Sequence, residues 1–266
     1  MIKIIFCDVD GTLLNSAHII TPLTRQKILE LNDIPFVIVS ARSPSGIYPI
    51  QRKNGICCPI IAYSGALIQD EKGQVIYQKG MNSSLAEEII RFIEEKRLPL
   101  TWCLYSGDRW IVRDKCDPKV QKEEAIVEAE AEEGSVRSLA KGQDVHKILC
   151  ICDPGTIDVI ESQINAAFPD VNAVRSSDIL LEIMDKNVSK AGAVSRLCQH
   201  LGLSLEEAAA FGDNYNDLDM LAAVGYGVVM GNAPAKIQAL FEHVTDDNDH
   251  DGIAKELMRI TKLLHF

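Results

Sequence analysis

No run of apolar residues in this 266-residue sequence reaches the ~18 that a membrane-spanning helix needs. The longest, such as 34–39, have the length of a strand. The apolar run at 1–7 is too short for a secretory signal peptide and is closed by Asp8. Positive charge is in deficit, with 27 basic against 38 acidic residues and a net charge of −11. A basic nucleic-acid surface and a cationic membrane-surface helix are therefore excluded, because phosphate contacts demand clustered Lys and Arg. None of the eight cysteines has C-x-x-C or zinc-finger spacing. Cys57 and Cys58 are adjacent, and Cys150 and Cys152 alternate in a strand-like stretch. They read as reduced thiols used as small apolar residues in a cytoplasmic protein. Internal repeats and low-complexity linkers are also absent. What is present is globular: 47% hydrophobic and 24% charged residues exclude a disordered chain, a collagen and a coiled coil. The length allows one large domain or two modest ones.

The first segment is nearly all apolar over 2–7 and breaks into Asp8-Val9-Asp10-Gly11-Thr12. A continuous apolar run ending in a Gly turn predicts a strand buried on both faces of a parallel sheet. Thr21-Pro22 predicts a capped helix start carrying Leu23, Ile28 and Leu31, and Ser43-Pro44 repeats the signal. Strands are expected at 36–39 and 59–63. The middle differs in texture. Helices are expected at 85–93, 118–133 and 156–168, and strands at 100–105, 110–113, 147–152, 171–175 and 179–184. Within 118–133 the acidic run from Glu123 reads as a solvated face, with Ile126 and Val127 on the buried side. Trp102 and Trp110 read as packing residues. The α/β texture then returns, with helices at 189–201, 218–223, 234–241 and 252–264 and strands at 208–211, 227–230 and 244–245. The fold expected is an α/β doubly wound, Rossmann-like parallel-sheet core (1–80 plus 187–266) with an inserted α+β module (81–186).

Asp8 and Asp10 stand at i and i+2 just past a buried strand, where open α/β sheets bind ligands. Two carboxylates in one turn repel unless a cation or a proton is shared. Gly212-Asp213-Asn214-Tyr215-Asn216-Asp217 also follows a short apolar strand, although Asn216 or Asp217 would serve equally as a helix cap. Asp8, Asp10 and Asp213, all at strand ends, would converge on one hard cation, and an oxygen-only donor set suits Mg²⁺.

With these residues in place, the sequence resembles the haloacid dehalogenase superfamily, through four motifs in order over nearly the whole chain. They are Asp8-Val9-Asp10-Gly11-Thr12, Ser40, Lys190 within Val188-Ser189-Lys190-Ala191, and the 212–217 segment. The insertion is similar to the type IIB cap of the Cof-like phosphatases. Met230-Gly231-Asn232-Ala233 and the 247–252 segment also look like signatures of that subfamily. The resemblance implies a phosphoric monoester hydrolase in which Asp8 attacks phosphorus to form an aspartyl-phosphate. Asp10 would protonate the leaving alcohol and then deprotonate water. Mg²⁺ would be held by Asp8, the Asp10 carbonyl and Asp213, with Asp217 acting through water. Lys190 would pair with Asp8 and the phosphoryl group, and Ser40 and Asn216 would bind phosphate oxygens. A lysine beside the positive end of a helix dipole is unfavourable on its own, which favours such a role.

Arg42, Gly65, Arg175 and Asn232 are further candidates for substrate or cap contacts. Arg42 would alternatively pair with a carboxylate, Arg175 lie in an exposed hairpin, and Asn232 serve as a turn residue. The sequence departs from the subfamily at Ala41, Asn187 and Ala191, where glycines are usual, and at Ser64, where Asn is usual. Asn187 would substitute for glycine by tolerating left-handed backbone angles. The partner expected is a small phosphorylated metabolite, a sugar phosphate or similar, handled by a monomer or small homo-oligomer. A phosphotransferase or mutase of the phosphomannomutase kind uses the same motifs. A non-catalytic phospho-ligand sensor would not need Asp10. The inserted module is expected to exclude water during transfer and choose the leaving group.

Overall fold

The computed structural model describes residues 1–31, 33–127 and 129–262. The chain begins with β1 (Ile4–Asp8), α1 (Pro22–Leu29), β2 (Phe36–Val39), α2 (Pro44–Asn54), β3 (Ile60–Ala62), β4 (Leu67–Gln69) and β5 (Val75–Gln78). It continues through α3 (Ser83–Glu95), β6 (Leu100–Ser106), β7 (Arg109–Val112), α4 (Pro118–Val127), β8 (Glu132–Glu133), β9 (Lys147–Cys152), α5 (Ile157–Ala167), β10 (Val171–Arg175) and β11 (Leu180–Asp185). It ends with α6 (Lys190–His200), β12 (Ala208–Gly212), α7 (Leu218–Ala223), β13 (Tyr226–Val229), α8 (Ala235–Gln238), β14 (His243–Val244) and α9 (Gly252–Lys262). Contacts divide it into two units. One comprises Met1–Arg42, Ile47–Tyr77 and the chain from Ser189 onward, and the other comprises Ser43–Gly46 and Gln78–Val188.

The first unit is built on an eight-stranded sheet in the order β14-β13-β12-β1-β2-β3-β4-β5. From β14 to β3 all neighbours are parallel, and β4 runs antiparallel to β3. All five residues of β1 are buried, as expected of a strand covered on both faces. Alternate residues on each strand turn to one helical layer. Ile4 and Phe6 of β1, with Ala208 and Ala210 of β12, pack against Ala193, Val194 and Leu197 of α6 and against Met220 and Leu221 of α7. Thr21 caps α1 as its sequence implies, its side chain accepting the Thr24 N–H, with Pro22 in the first turn.

The second unit holds a six-stranded sheet, β10-β11-β9-β6-β7-β8, antiparallel except between β7 and β8. Ile89, Ile90 and Ile93 of α3 and Ile157, Ile160 and Ile164 of α5 recur at helical spacing. They meet Trp102, Leu104, Ile148, Cys150, Leu181 and Ile183 in one core cluster. Trp110 is buried as well. All eight thiols are free, Cys57 and Cys116 exposed and the other six buried. Among the described residues, no helix is long and apolar enough to cross a membrane.

Several local expectations need correction. The helix expected over 118–133 ends at Val127, and Glu132–Glu133 pair with β7 as a short strand; residue 128 lies outside the described residues. The buried residue of α4 is Val120, whereas Ile126 is 62% exposed. The helix is anchored at its start instead, where Thr101 Oγ1 donates to Asp117 and Lys119 pairs with Asp153. Strands β4 and β5 were not expected, because each is short and follows a Gly turn closely. The helix expected at 234–241 is confined to Ala235–Gln238. The last helix reaches Lys262, and residues 263 and 264 lie outside the described residues. Asn187 has no left-handed backbone; its N–H and side-chain amide both bond to Asp185 Oδ1 at 2.9 Å.

Candidate active site

The alternation of β1 decides where its last residue points. Ile4 and Phe6 face α6, so Asp8, two residues further, also falls on that side. There it meets Lys190, the first residue of α6, which follows the N-cap Ser189. Lys190 Nζ lies 2.5 Å from Asp8 Oδ1 and 2.6 Å from Asp217 Oδ1. Lys190 is 2%, Asp8 5% and Asp217 1% exposed, so solvent screens none of these charges. Burial alone would lower the Lys190 pKa, but the two carboxylates more than offset it and the pKa lies above its ordinary value.

The turn after β12 supplies the other half. Gly212 is glycine because a Cβ there would lie 2.6 Å from the Asp217 Cβ, so the chain folds back tightly. Asp217 Oδ2 then accepts the N–H groups of Asp213 and Asn214 at 3.1 Å. Asn214 caps the 3-10 turn Tyr215–Asp217, its side chain accepting the Tyr215 N–H. Asp217, one of the two sequence candidates for a helix cap, stands at the N-cap position of α7 without a side-chain cap bond there. Asp213 is held by Thr12, whose Oγ1 donates to Asp213 Oδ1 at 2.8 Å. Thr12 and Gly11 are therefore part of the site, a role that sequence reasoning left unassigned although both lie inside the first motif.

One carboxylate oxygen from each of Asp8, Asp213 and Asp217 lies within 4.8 Å of the others. Three buried carboxylates face a single buried ammonium, which leaves negative charge uncompensated. Burial pushes the Asp8 carboxyl up to about 8 in spite of Lys190, and the Asp213 carboxyl up to about 6 in spite of Thr12. An all-oxygen donor set of excess negative charge fits a hard divalent cation. The Asp10 carboxylate lies outside this group and is half exposed, paired with Arg42.

The remaining candidates fall in distinct places. Ser40 follows β2, beside the end of β1, and is 1% exposed. Its Oγ accepts the Arg42 N–H at 3.1 Å. Asn216 is exposed on the turn just before Asp217. Gly65 has φ +112°, and a Cβ there would lie 2.3 Å from the Ser189 carbonyl oxygen. It is thus the place where the turn after β3 touches the start of α6. Asn232 bonds to the turn after β1 and to Asn248. Arg175, at the end of β10, is held by its own unit, with ion pairs to Asp158 and Asp178 and a bond to the Ser177 carbonyl. It is the exposed-hairpin alternative that the structure shows.

A sequence profile of haloacid dehalogenase-like hydrolases matches residues 5–257. A Haemophilus influenzae protein, provisionally named a phosphatase, is 38% identical over 259 residues, 96% of each chain. Phosphatase YwpJ of Bacillus subtilis is 26% identical over 280 residues, 95% of this chain and 97% of its own. The crystal structure of a haloacid dehalogenase-like hydrolase from Bacteroides thetaiotaomicron superimposes with a TM-score of 0.89 at 28% identity, covering 98% of this chain and 100% of that one. With carboxylates gathered at the ends of two neighbouring parallel strands and a buried lysine between them, the chain belongs to the haloacid dehalogenase-like hydrolases.

Proposed function

We propose that the chain is a Mg²⁺-dependent phosphatase that hydrolyses small phosphorylated metabolites, sugar phosphates or similar monoesters, through an aspartyl-phosphate on Asp8. That it is a phosphoric monoester hydrolase follows from its family and its similarity to named phosphatases. The observation that carries the mechanism is the Lys190 ammonium held between Asp8 and Asp217 beside Asp213.

Asp8 supplies the attacking carboxylate oxygen: its bond to phosphorus forms as the bond from phosphorus to the leaving oxygen breaks. Lys190 holds that carboxylate in place and offers positive charge to the transferring phosphoryl group. Asp10 gives its proton to the leaving oxygen, and then takes one from the water that cleaves the acyl phosphate and restores Asp8. Ser40, at the neighbouring strand end, and Asn216 donate to phosphate oxygens. Asp8 and Asp213, with the Asp10 carbonyl, would hold Mg²⁺, and Asp217 would support them through its bonds to the 213–214 turn. The bound ion would lower the repulsion between a carboxylate and a phosphate dianion. The inserted unit is the cap that selects the leaving group.

The test is hydrolysis of p-nitrophenyl phosphate with Mg²⁺ by the wild type and by Asp8→Asn. Activity that survives EDTA or the substitution defeats the mechanism. A panel of phosphorylated metabolites then identifies the substrate. Phosphate that appears only when an acceptor sugar is absent identifies a transferase instead.

A further inference from the structure

We propose that Asn232 and Asn248 form an amide relay that positions the turn carrying Asp8 and Asp10. The inference rests on the reading of those aspartates as the reacting pair, and it adds two positioning residues from the far end of the chain.

Asn232 Nδ2 donates to the Gly11 carbonyl at 2.8 Å, across 221 residues. Asn248 Nδ2 donates to the Leu14 carbonyl at 2.9 Å, across 234 residues. The two are joined, since Asn232 Oδ1 accepts the Asn248 N–H at 3.2 Å. Strand order explains the reach. The sheet runs β14-β13-β12-β1, with Asn248 after β14, Asn232 after β13, Asp213 after β12 and the Asp8–Asp10 turn after β1. The relay passes from the outer two strand ends to β1, beyond the loop that bears Asp213. Gly11 has φ +85°, and a Cβ there would lie 2.4 Å from Asp213 Oδ2. Gly11 is therefore pressed against the Asp213 carboxylate while its carbonyl is held by Asn232. A shift of Gly11 carries over to Asp213 and to the Thr12–Asp213 hydrogen bond.

The relay's own register is set by backbone contact. A Cβ on Gly231 would lie 2.8 Å from the Asp247 nitrogen, and one on Gly252 would lie 2.0 Å from the Asp246 carbonyl oxygen. No side chain separates the loop before Asn232 from the loop that holds Asn248. That second loop also grips the segment beyond the turn, where Asp249 Oδ1 accepts the Ser16 N–H at 3.0 Å and the Ser16 hydroxyl at 2.8 Å.

Both contacts on the turn are carbonyl acceptors, so each relay residue must donate. Aspartate has the same shape but would set a carboxylate oxygen against a carbonyl oxygen. Asn232 is exposed and Asn248 half-buried, so water replaces the lost bonds and folding changes little. What is lost is the fixed position of the turn.

The experiment compares wild type with Asn232→Asp and Asn248→Asp by amide hydrogen exchange and by steady-state hydrolysis of p-nitrophenyl phosphate. Asn232→Ser and Asn248→Ser serve as the second pair should the charged variants fail to fold. The expected result is exchange at Thr12, Leu13 and Leu14 faster by about tenfold or more, with kcat lower by about tenfold or more, KM nearly constant and the melting temperature little changed. Unchanged exchange overturns the relay, and faster exchange with unchanged kcat overturns its positioning role. A wild type without phosphatase activity defeats the functional reading, while the exchange measurement still decides whether the turn is held.

Discussion

Arg42 grips both carboxylate oxygens of Asp10, Nε to Oδ2 at 2.9 Å and Nη2 to Oδ1 at 2.5 Å. A planar fork from the end of the neighbouring strand thus orients Asp10, and one of the two oxygens must be released before it can pass a proton to the leaving group. Asp10 remains 54% exposed at its side chain, so the pair adds little to stability and its importance is directional. Arg42→Ala is expected to lower kcat by about tenfold with folding unaffected. Arg42→Lys is not expected to restore it, because an ammonium cannot hold two oxygens in one plane. Steady-state kinetics on the two variants checks this, and a fully active Arg42→Lys would show that charge alone suffices.

Lys190 carries a different weight. It is the buried cation between two buried carboxylates. Lys190→Met is expected to lower stability by about 3–5 kcal/mol, as breaking a buried ion pair does. Activity should fall by about 10²-fold or more, because positive charge preorganised against the phosphoryl group is lost. Urea unfolding and kinetics are read together. Full activity in this variant would remove Lys190 from the mechanism.

Metal dependence should be tied to pH through Asp8. Burial holds its carboxyl at about 8, and only the ionised form binds a cation or attacks phosphorus. Below that pH a proton competes with Mg²⁺. The Mg²⁺ concentration for half-maximal activity is expected to fall as pH rises, by up to about tenfold per unit, and to level off above about pH 8. EDTA should abolish turnover and added Mg²⁺ restore it. A half-activation concentration independent of pH would contradict the proton–metal competition.

His146 gives the inserted unit an acid-labile point. It is 2% exposed, its Nδ1 accepts the Gly107 N–H at 3.0 Å, and burial lowers its pKa from 6.5 to about 4. Between those values the unfolded chain binds the proton and the folded chain resists it. The stability from the neutral ring is complete above pH 6.5 and is lost as pH falls toward 4. Between about pH 7.5 and about pH 5 the loss should be about 2 kcal/mol. His146→Asn keeps an acceptor without the titration and should remove most of that slope. The fluorescence of Trp102 and Trp110, both in this unit, reports the transition. An unchanged slope in the variant would assign the acid sensitivity to other groups.

Much of the site was legible because its residues sit where strands stop. The apolar run ending at Asp8, the small-residue run ending at Gly212 and the Ser-Lys helix start each carry a local signal. Those signals also predicted a parallel sheet with helices between its strands. Side-chain contacts between elements were less legible. Ile126 was assigned to a buried face from its neighbours' polarity, yet α4 is fastened through Asp117 and Lys119 and leaves Ile126 in water. Arg175 lies in the exposed hairpin that the sequence offered as one of its two readings, and its ion pairs with Asp158 and Asp178 are side-chain contacts that the local pattern does not specify.

By itself, then, the sequence determined which residues end the strands and which chemistry they bear, because hydrophobic alternation and turn residues act over a few positions. The family resemblance named Lys190 as the partner of Asp8, but what physically makes those ends neighbours is the tertiary structure. The strand order brings Lys190 to Asp8 across 182 residues, Arg42 to Asp10 across 32 and Asn232 to Gly11 across 221. The physical reason is that these contacts depend on which strands pair and how closely glycine lets backbones approach. Those are properties of the packed sheet, and no local stretch of chain encodes them.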